Sequence, residues 1–193
     1  MVQQKLLESV SPYFTRCLKA DTFKEGEQGR LYCPDDNVGA WRVLLYWIMH
    51  RKQPDDLLVK SDLVAVRCWV LGDKYDIPRF QDEAMFALLA IYSERRPRKG
   101  TIGEAVVSSA PSSKLRKLMA EEVVFMLFTK LGSTISPTFD GIGFLGELME
   151  MCACWAFKEA ALSNRPKRRA KQNAKIWKEF MVCEWPHGHD LLS

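Results

Sequence analysis

Two segments of this chain, Leu57–Leu71 and Phe80–Tyr92, are apolar on almost every side. A helix that is hydrophobic all round must be buried all round, so both belong at the centre of whatever the chain builds. Gly72, Asp73, Lys74 and Asp76 separate them, and Pro78 stands where the second begins. The spacing predicts a central helical hairpin with the other elements laid over it. Neither segment can cross a bilayer. The longest stretch without Asp, Glu, Lys or Arg is Ala84–Ser93, about half of the roughly twenty residues that a membrane-spanning helix needs.

The remaining pattern is mostly helical. Leu6, Leu7 and Val10 lie at helical spacing. Ser11 is suited to cap a second helix and Pro12 to open it, with Phe14, Cys17 and Leu18 on one apolar face. Gly26 and Gly29 interrupt the pattern. Arg30–Cys33 reads as a short strand, stopped by Pro34-Asp35-Asp36. Asn37 can cap the next helix, whose expected buried stripe is Val38, Trp41, Leu44, Leu45 and Ile48. Glu94–Gly100 is a charged break. Helical patterns follow at Thr101–Ser109, at Leu115, Leu118, Met119, Val123, Met126 and Leu127, and at Leu145, Leu148, Met149, Cys152 and Trp155. The expected class is α+β, predominantly helical, with one residual short strand.

The 193 residues, 47% of them hydrophobic and 27% charged, have globular composition. The length favours one compact core, here 1–94, and a helical extension, 95–193. Net charge is +4, but Arg165, Lys167, Arg168, Arg169, Lys171, Lys175 and Lys178 fall together without an acid. Taking those seven away leaves −3, so the pI of about 8.7 is set by one segment, 165–178. Ile176, Trp177, Phe180 and Met181 give that segment an apolar edge. The opening residues lack the features of a secretory signal. The six cysteines are then expected to be free thiols in a reducing compartment, cytoplasm or nucleus.

Several motifs have the letters of chemical sites without their context. Gly141-Ile142-Gly143-Phe144-Leu145-Gly146 spells G-x-G-x-x-G, but linker residues precede it where a dinucleotide site needs a buried strand. Cys152 and Cys154, two apart on a helix, point to different sides and cannot chelate together. Cys183, His187 and His189 do not complete a four-ligand zinc pattern. No nucleophile elbow, zincin helix or P-loop is present. The expectation is a non-enzymatic chain with no cofactor and no metal. The cluster Arg165, Lys167, Arg168, Arg169 and Lys171 is open to three readings: a solvated helix face, a nuclear-import signal, or a phosphate-contacting patch. It has no interleaved aromatic platform, which disfavours nucleic acid as a partner. A nuclear DNA-associated regulator using 165–178 is the rival reading of function.

Three blocks together resemble one family. Leu6-Leu7-Glu8-Ser9-Val10-Ser11-Pro12-Tyr13-Phe14 is similar to the helix pair of BTB/POZ domains that ends in S-P-[YF]-F. Phe23-Lys24-Glu25, Arg30–Asp36 and the Trp41–Trp47 stretch resemble its F-K-E, strand, P-x-D-D and tryptophan-helix blocks. Val70-Leu71-Gly72-Asp73-Lys74-Tyr75-Asp76-Ile77-Pro78 resembles its hairpin block, the most specific of the three. The likeness covers about residues 2–93, and the whole arrangement looks like the BTB-only proteins of filamentous fungi. The departures are also plain. The family's first β-hairpin would precede residue 2, its usual His-Lys falls on Gln3-Gln4, and its Y-T-G falls on Ile48-Met49-His50.

The resemblance implies a BTB/POZ-like helical core and a role in protein–protein interaction, by homodimer formation or partner docking, with no membrane involved. In some members a hydrophobic-x-Glu motif docks the cullin scaffold of a ubiquitin ligase. On that pattern Phe23 would fill an apolar pocket and Glu25 anchor its rim, with Tyr13 and Phe14 beside them. The alternative has Phe23 packed on its own domain and Glu25 solvated. Without the first hairpin, the strand at Arg30–Cys33 would lack neighbours and expose backbone hydrogen-bonding groups, which favours self-association.

Overall fold

The computed structural model describes residues 4–19, 26, 30–52, 54, 61–128, 143–156 and 178–183. Among them the fold is helical. In chain order the helices are α1 (Gln4–Glu8), α2 (Pro12–Cys17), α3 (Val38–His50), α4 (Asp62–Lys74), α5 (Pro78–Glu94), α6 (Lys99–Ser108), α7 (Lys114–Phe128) and α8 (Leu145–Ala156). A 3-10 turn follows at Lys178–Phe180. None of them is long and apolar enough to cross a membrane.

The expected hairpin is present as α4 and α5, the most extensively packed pair of helices. Ala65, Val66, Cys68, Trp69 and Leu71 of α4 are buried, as are Phe80, Ala84, Met85, Leu88, Leu89, Ile91 and Tyr92 of α5. Ser61 caps α4 by accepting from the Val64 N–H. Leu57–Lys60, the expected start of this helix, lie outside the described residues. The turn closes tightly. The Ile77 N–H reaches the Gly72 carbonyl at 2.8 Å and the Asp76 N–H reaches that of Asp73, while Asp76 takes a left-handed φ of 53°. This is a Schellman C-cap with aspartate in the place glycine usually fills. Gly72 itself is needed for contact: a Cβ there would meet the Cβ of Gln81 at 3.0 Å and its backbone at 3.1 Å.

The other elements cover this pair. α3 packs on α4 from one side and α6 from another, and α7 lies against α6 and α8. The buried side chains of all of them belong to one cluster, from Phe14 to Met181. Salt bridges cross the seams at Arg67–Glu104 (2.7 Å) and Arg95–Asp62 (3.4 Å).

Three expectations are corrected. Arg30–Cys33 forms no strand, and no strand exists among the described residues. Its burial still alternates, with Leu31 and Cys33 half-buried around an exposed Tyr32. No strand among the described residues lies beside it, so it has no ladder to join. The buried stripe of α3 is Ala40, Val43, Leu44, Trp47 and Ile48, while Val38 is 65% exposed. Trp41 is held at the edge by its bond to Asp36, so the helix is turned from the expected face. In α8 Leu145 (43%) and Met149 (63%) are exposed. Leu148 of the expected stripe is buried, together with Phe144 just before the helix, and the side chain of Trp155 lies outside the described residues.

Candidate interaction surface

Ser11 fixes the first part of the site. Its hydroxyl oxygen accepts from the N–H groups of Tyr13 (3.1 Å) and Phe14 (3.4 Å), the N-cap expected from the sequence. The same hydroxyl donates to the carbonyl of Tyr75. The start of α2 is thereby pinned to the end of α4. Four rings meet at this point. Phe14 stacks on Tyr75 with centroids 5.1 Å apart, Tyr13 meets Tyr75 edge-on at 5.1 Å, and Trp41 lies 5.3 Å from Tyr75. Offset and edge-on arrangements of this kind suit the ring quadrupoles.

Asp36 supplies the polar half. Its carboxylate accepts from the Trp41 indole N–H at 2.8 Å, from the Lys74 ammonium at 2.7 Å and from the Tyr75 hydroxyl. The Cys33 sulfur lies 3.3 Å from that hydroxyl. Burial alone would raise the Asp36 pKa, but the three hydrogen bonds outweigh it and hold the carboxyl below its ordinary value. The same contacts act in reverse on the partners. Tyr75 is pushed up by burial and then by its bond to Asp36. Lys74 is pushed up chiefly by the hydrogen bond to Asp36. Burial also raises the Cys33 thiol and the Tyr13 hydroxyl. The groups here hold each other in fixed charge states, with Asp36 ionised and Tyr75 protonated.

This knot joins the three sequence blocks. Ser11, Tyr13 and Phe14 come from the first, Cys33, Asp36 and Trp41 from the second, and Lys74 and Tyr75 from the third. Of the expected contact residues, Tyr13 is 37% exposed and available at the surface. Phe14 is completely buried and serves the patch only from beneath. Phe23 and Glu25 lie outside the described residues, as do Arg165, Lys167, Arg168, Arg169 and Lys171. Tyr32, 84% exposed, is a surface aromatic that the sequence did not single out. It lies on the same segment as Cys33 and Asp36. A bulky aromatic in a segment flanked by turn residues was the signal available for it.

The other motifs carry no site among the described residues. Gly143 has a left-handed φ of 68°, and its carbonyl accepts from Arg116 at 2.8 Å. Gly141 and Ile142, the start of the G-x-G-x-x-G, lie outside them. Cys17, Cys33, Cys68, Cys152 and Cys183 are free thiols, and burial pushes Cys68 up to about 12. The side chain of Cys154, with His187 and His189, lies outside the described set. Compared with protein-family models, curated proteins and solved structures, the chain matches none.

Proposed function

We propose that this chain is a non-enzymatic protein–protein interaction module of the BTB/POZ type. It docks a protein partner or a second copy of itself through the surface around Tyr13 and Tyr32. One observation supports this above the rest: the family-like blocks of the sequence converge on Tyr75 and Asp36, with Tyr13 part-exposed against Tyr75 and Tyr32 exposed on the segment that carries Asp36. Aromatic side chains over a rigid base make good anchors, because little conformational freedom is lost when they are covered. On the same reading Phe23 and Glu25 form the cullin-facing motif, and the chain works in the cytoplasm or nucleus.

The test has two arms on the full chain. Sedimentation over a wide concentration range reads self-association, and titration against the N-terminal domain of a cullin reads docking. Wild type is compared with Tyr13→Ser/Tyr32→Ser, and with Phe23→Ala for the cullin. Association in either arm, weakened by the double substitution, is the expected result. A chain that stays monomeric and ignores the cullin overturns the reading. Equal cullin binding by Phe23→Ala removes the cullin motif alone.

A further inference from the structure

The segment Lys178–Cys183 makes contacts of an unusual kind for a short turn. Phe180 and Met181 are buried, at 2% and 4% exposure. The N–H groups of Val182 and Cys183 both donate to Asp82 on α5, one to each carboxylate oxygen, the second at 2.8 Å. On the α7 side the Lys117 ammonium lies 3.4 Å from the Glu179 carboxylate and 5.4 Å over the Phe180 ring. Burial and the bond to Asp82 push the Cys183 thiol up to about 11, with Arg79 and Lys114 near enough to oppose them.

These contacts are those of peptide capture. Two adjacent apolar side chains are buried, one carboxylate accepts from two consecutive backbone N–H groups, and a cation lies beside them. Backbone recognition with apolar anchors is how proteins hold short linear segments. The groove and the segment are also far apart along the chain, with residues 157–177 between the last residue of α8 and Lys178.

We propose that the groove between α5 and α7 is a peptide-binding site. Its ligand is a short segment with an aromatic residue, a flexible apolar residue after it, and two free amide N–H groups. Lys178–Cys183 is the built-in occupant and competes with any partner segment of that chemistry. This site is separate from the Tyr13–Tyr32 surface, and its test does not depend on that reading.

The probe is a fluorescein-labelled peptide of residues 177–184 with Cys183→Ser, followed by anisotropy with the full chain. Wild type, whose groove is filled, binds it weakly. The full chain carrying Phe180→Ala loses its own anchor and binds the probe at least about tenfold more tightly. Adding Asp82→Asn, which leaves one acceptor oxygen for two donors, reverses about tenfold of that gain, the scale of a hydrogen bond to a charged group. Val182→Pro is the second release variant: it deletes one N–H donated to Asp82 and keeps both apolar anchors, so an unfolded Phe180→Ala chain does not end the test. The proposal is overturned if neither release variant binds the probe more tightly than wild type. It is equally overturned if Asp82→Asn leaves that binding unchanged.

Discussion

Two buried charges tie separate segments of this molecule, and they are built in opposite senses. Asp36 is an acid surrounded by donors: an indole, a phenol and an ammonium. Arg116 is a base surrounded by acceptors. Its Nε meets Glu147 at 2.8 Å, its Nη1 meets the Val106 carbonyl at 3.3 Å, and its Nη2 meets that of Gly143 at 2.8 Å. Its guanidinium also stands 5.8 Å over the Phe144 ring. Asp36 ties its own stretch to the end of α4, and Arg116 ties α7 to the end of α6 and to the start of α8. The acid works against an aromatic cluster and keeps one wet partner, since the Lys74 side chain is 49% exposed while that of Asp36 is 5% exposed. The arginine side chain is 5% exposed and Glu147 only 19%. A drier pair gains more from its partner and loses more without it.

The comparison can be broken by substitution. Arg116→Ala takes the guanidinium from Glu147 Oε2 and from two carbonyls, leaving Glu147 only the Ser112 N–H on Oε1, and is expected to cost about 3–5 kcal/mol in denaturant unfolding. Arg116→Lys should recover less than half of that, because an ammonium cannot fork to three acceptors in fixed directions. Asp36→Ala removes the acceptor of a buried phenol and an indole, and should cost about 2–3 kcal/mol. If the two losses come out in the reverse order, the wet partner is not what separates the sites.

Acid sharpens the same contrast. The folded pKa of Asp36 lies below its unfolded value of 3.8. The folded state therefore binds the proton less readily than the unfolded one, and the stability Asp36 contributes is complete above the unfolded pKa. It is lost as pH falls through the folded value. The fall in stability below about pH 5 should be shallower in Asp36→Asn than in wild type. Parallel acid limbs would show that Asp36 contributes nothing to the slope. The smallest effect belongs to the exposed partner: Lys74→Met should change stability by about 0.5 kcal/mol and lose even that in high salt.

The two sites also differ in how far the sequence exposed them. The hairpin was readable because no helix so uniformly apolar can sit at a surface. Ser11 and Asn37 were readable because a cap is a local matter: each side-chain oxygen accepts an N–H within three residues. The residues around Asp36 were quoted as motif letters, yet their meeting depends on three segments folding over one another. Arg116 left no trace at all, since a single arginine in an amphipathic helix reads as a solvated residue. The stripes of α3 and α8 were misplaced for a related reason. Val38 and Ala40, or Leu145 and Phe144, offer nearly equal apolar faces, and only a neighbour decides which turns inward: Asp36 holding Trp41, or Arg116 over Phe144. Phe180 and Met181 were recognised as an apolar edge, but Asp82, which grips the backbone beyond them, lies a hundred residues earlier.

One hydroxyl has the widest reach. Ser11, 1% exposed, both begins α2 and fastens the carbonyl at the end of α4. A helix of six residues would ordinarily fray within microseconds when left to itself. Here its first amides can open to solvent only if the large hairpin lets go at the same moment. Deuterium should consequently enter Tyr13 and Phe14 as slowly as it enters the core of that hairpin, and Ser11→Ala should let this short helix breathe alone while the pair beneath it stays shut.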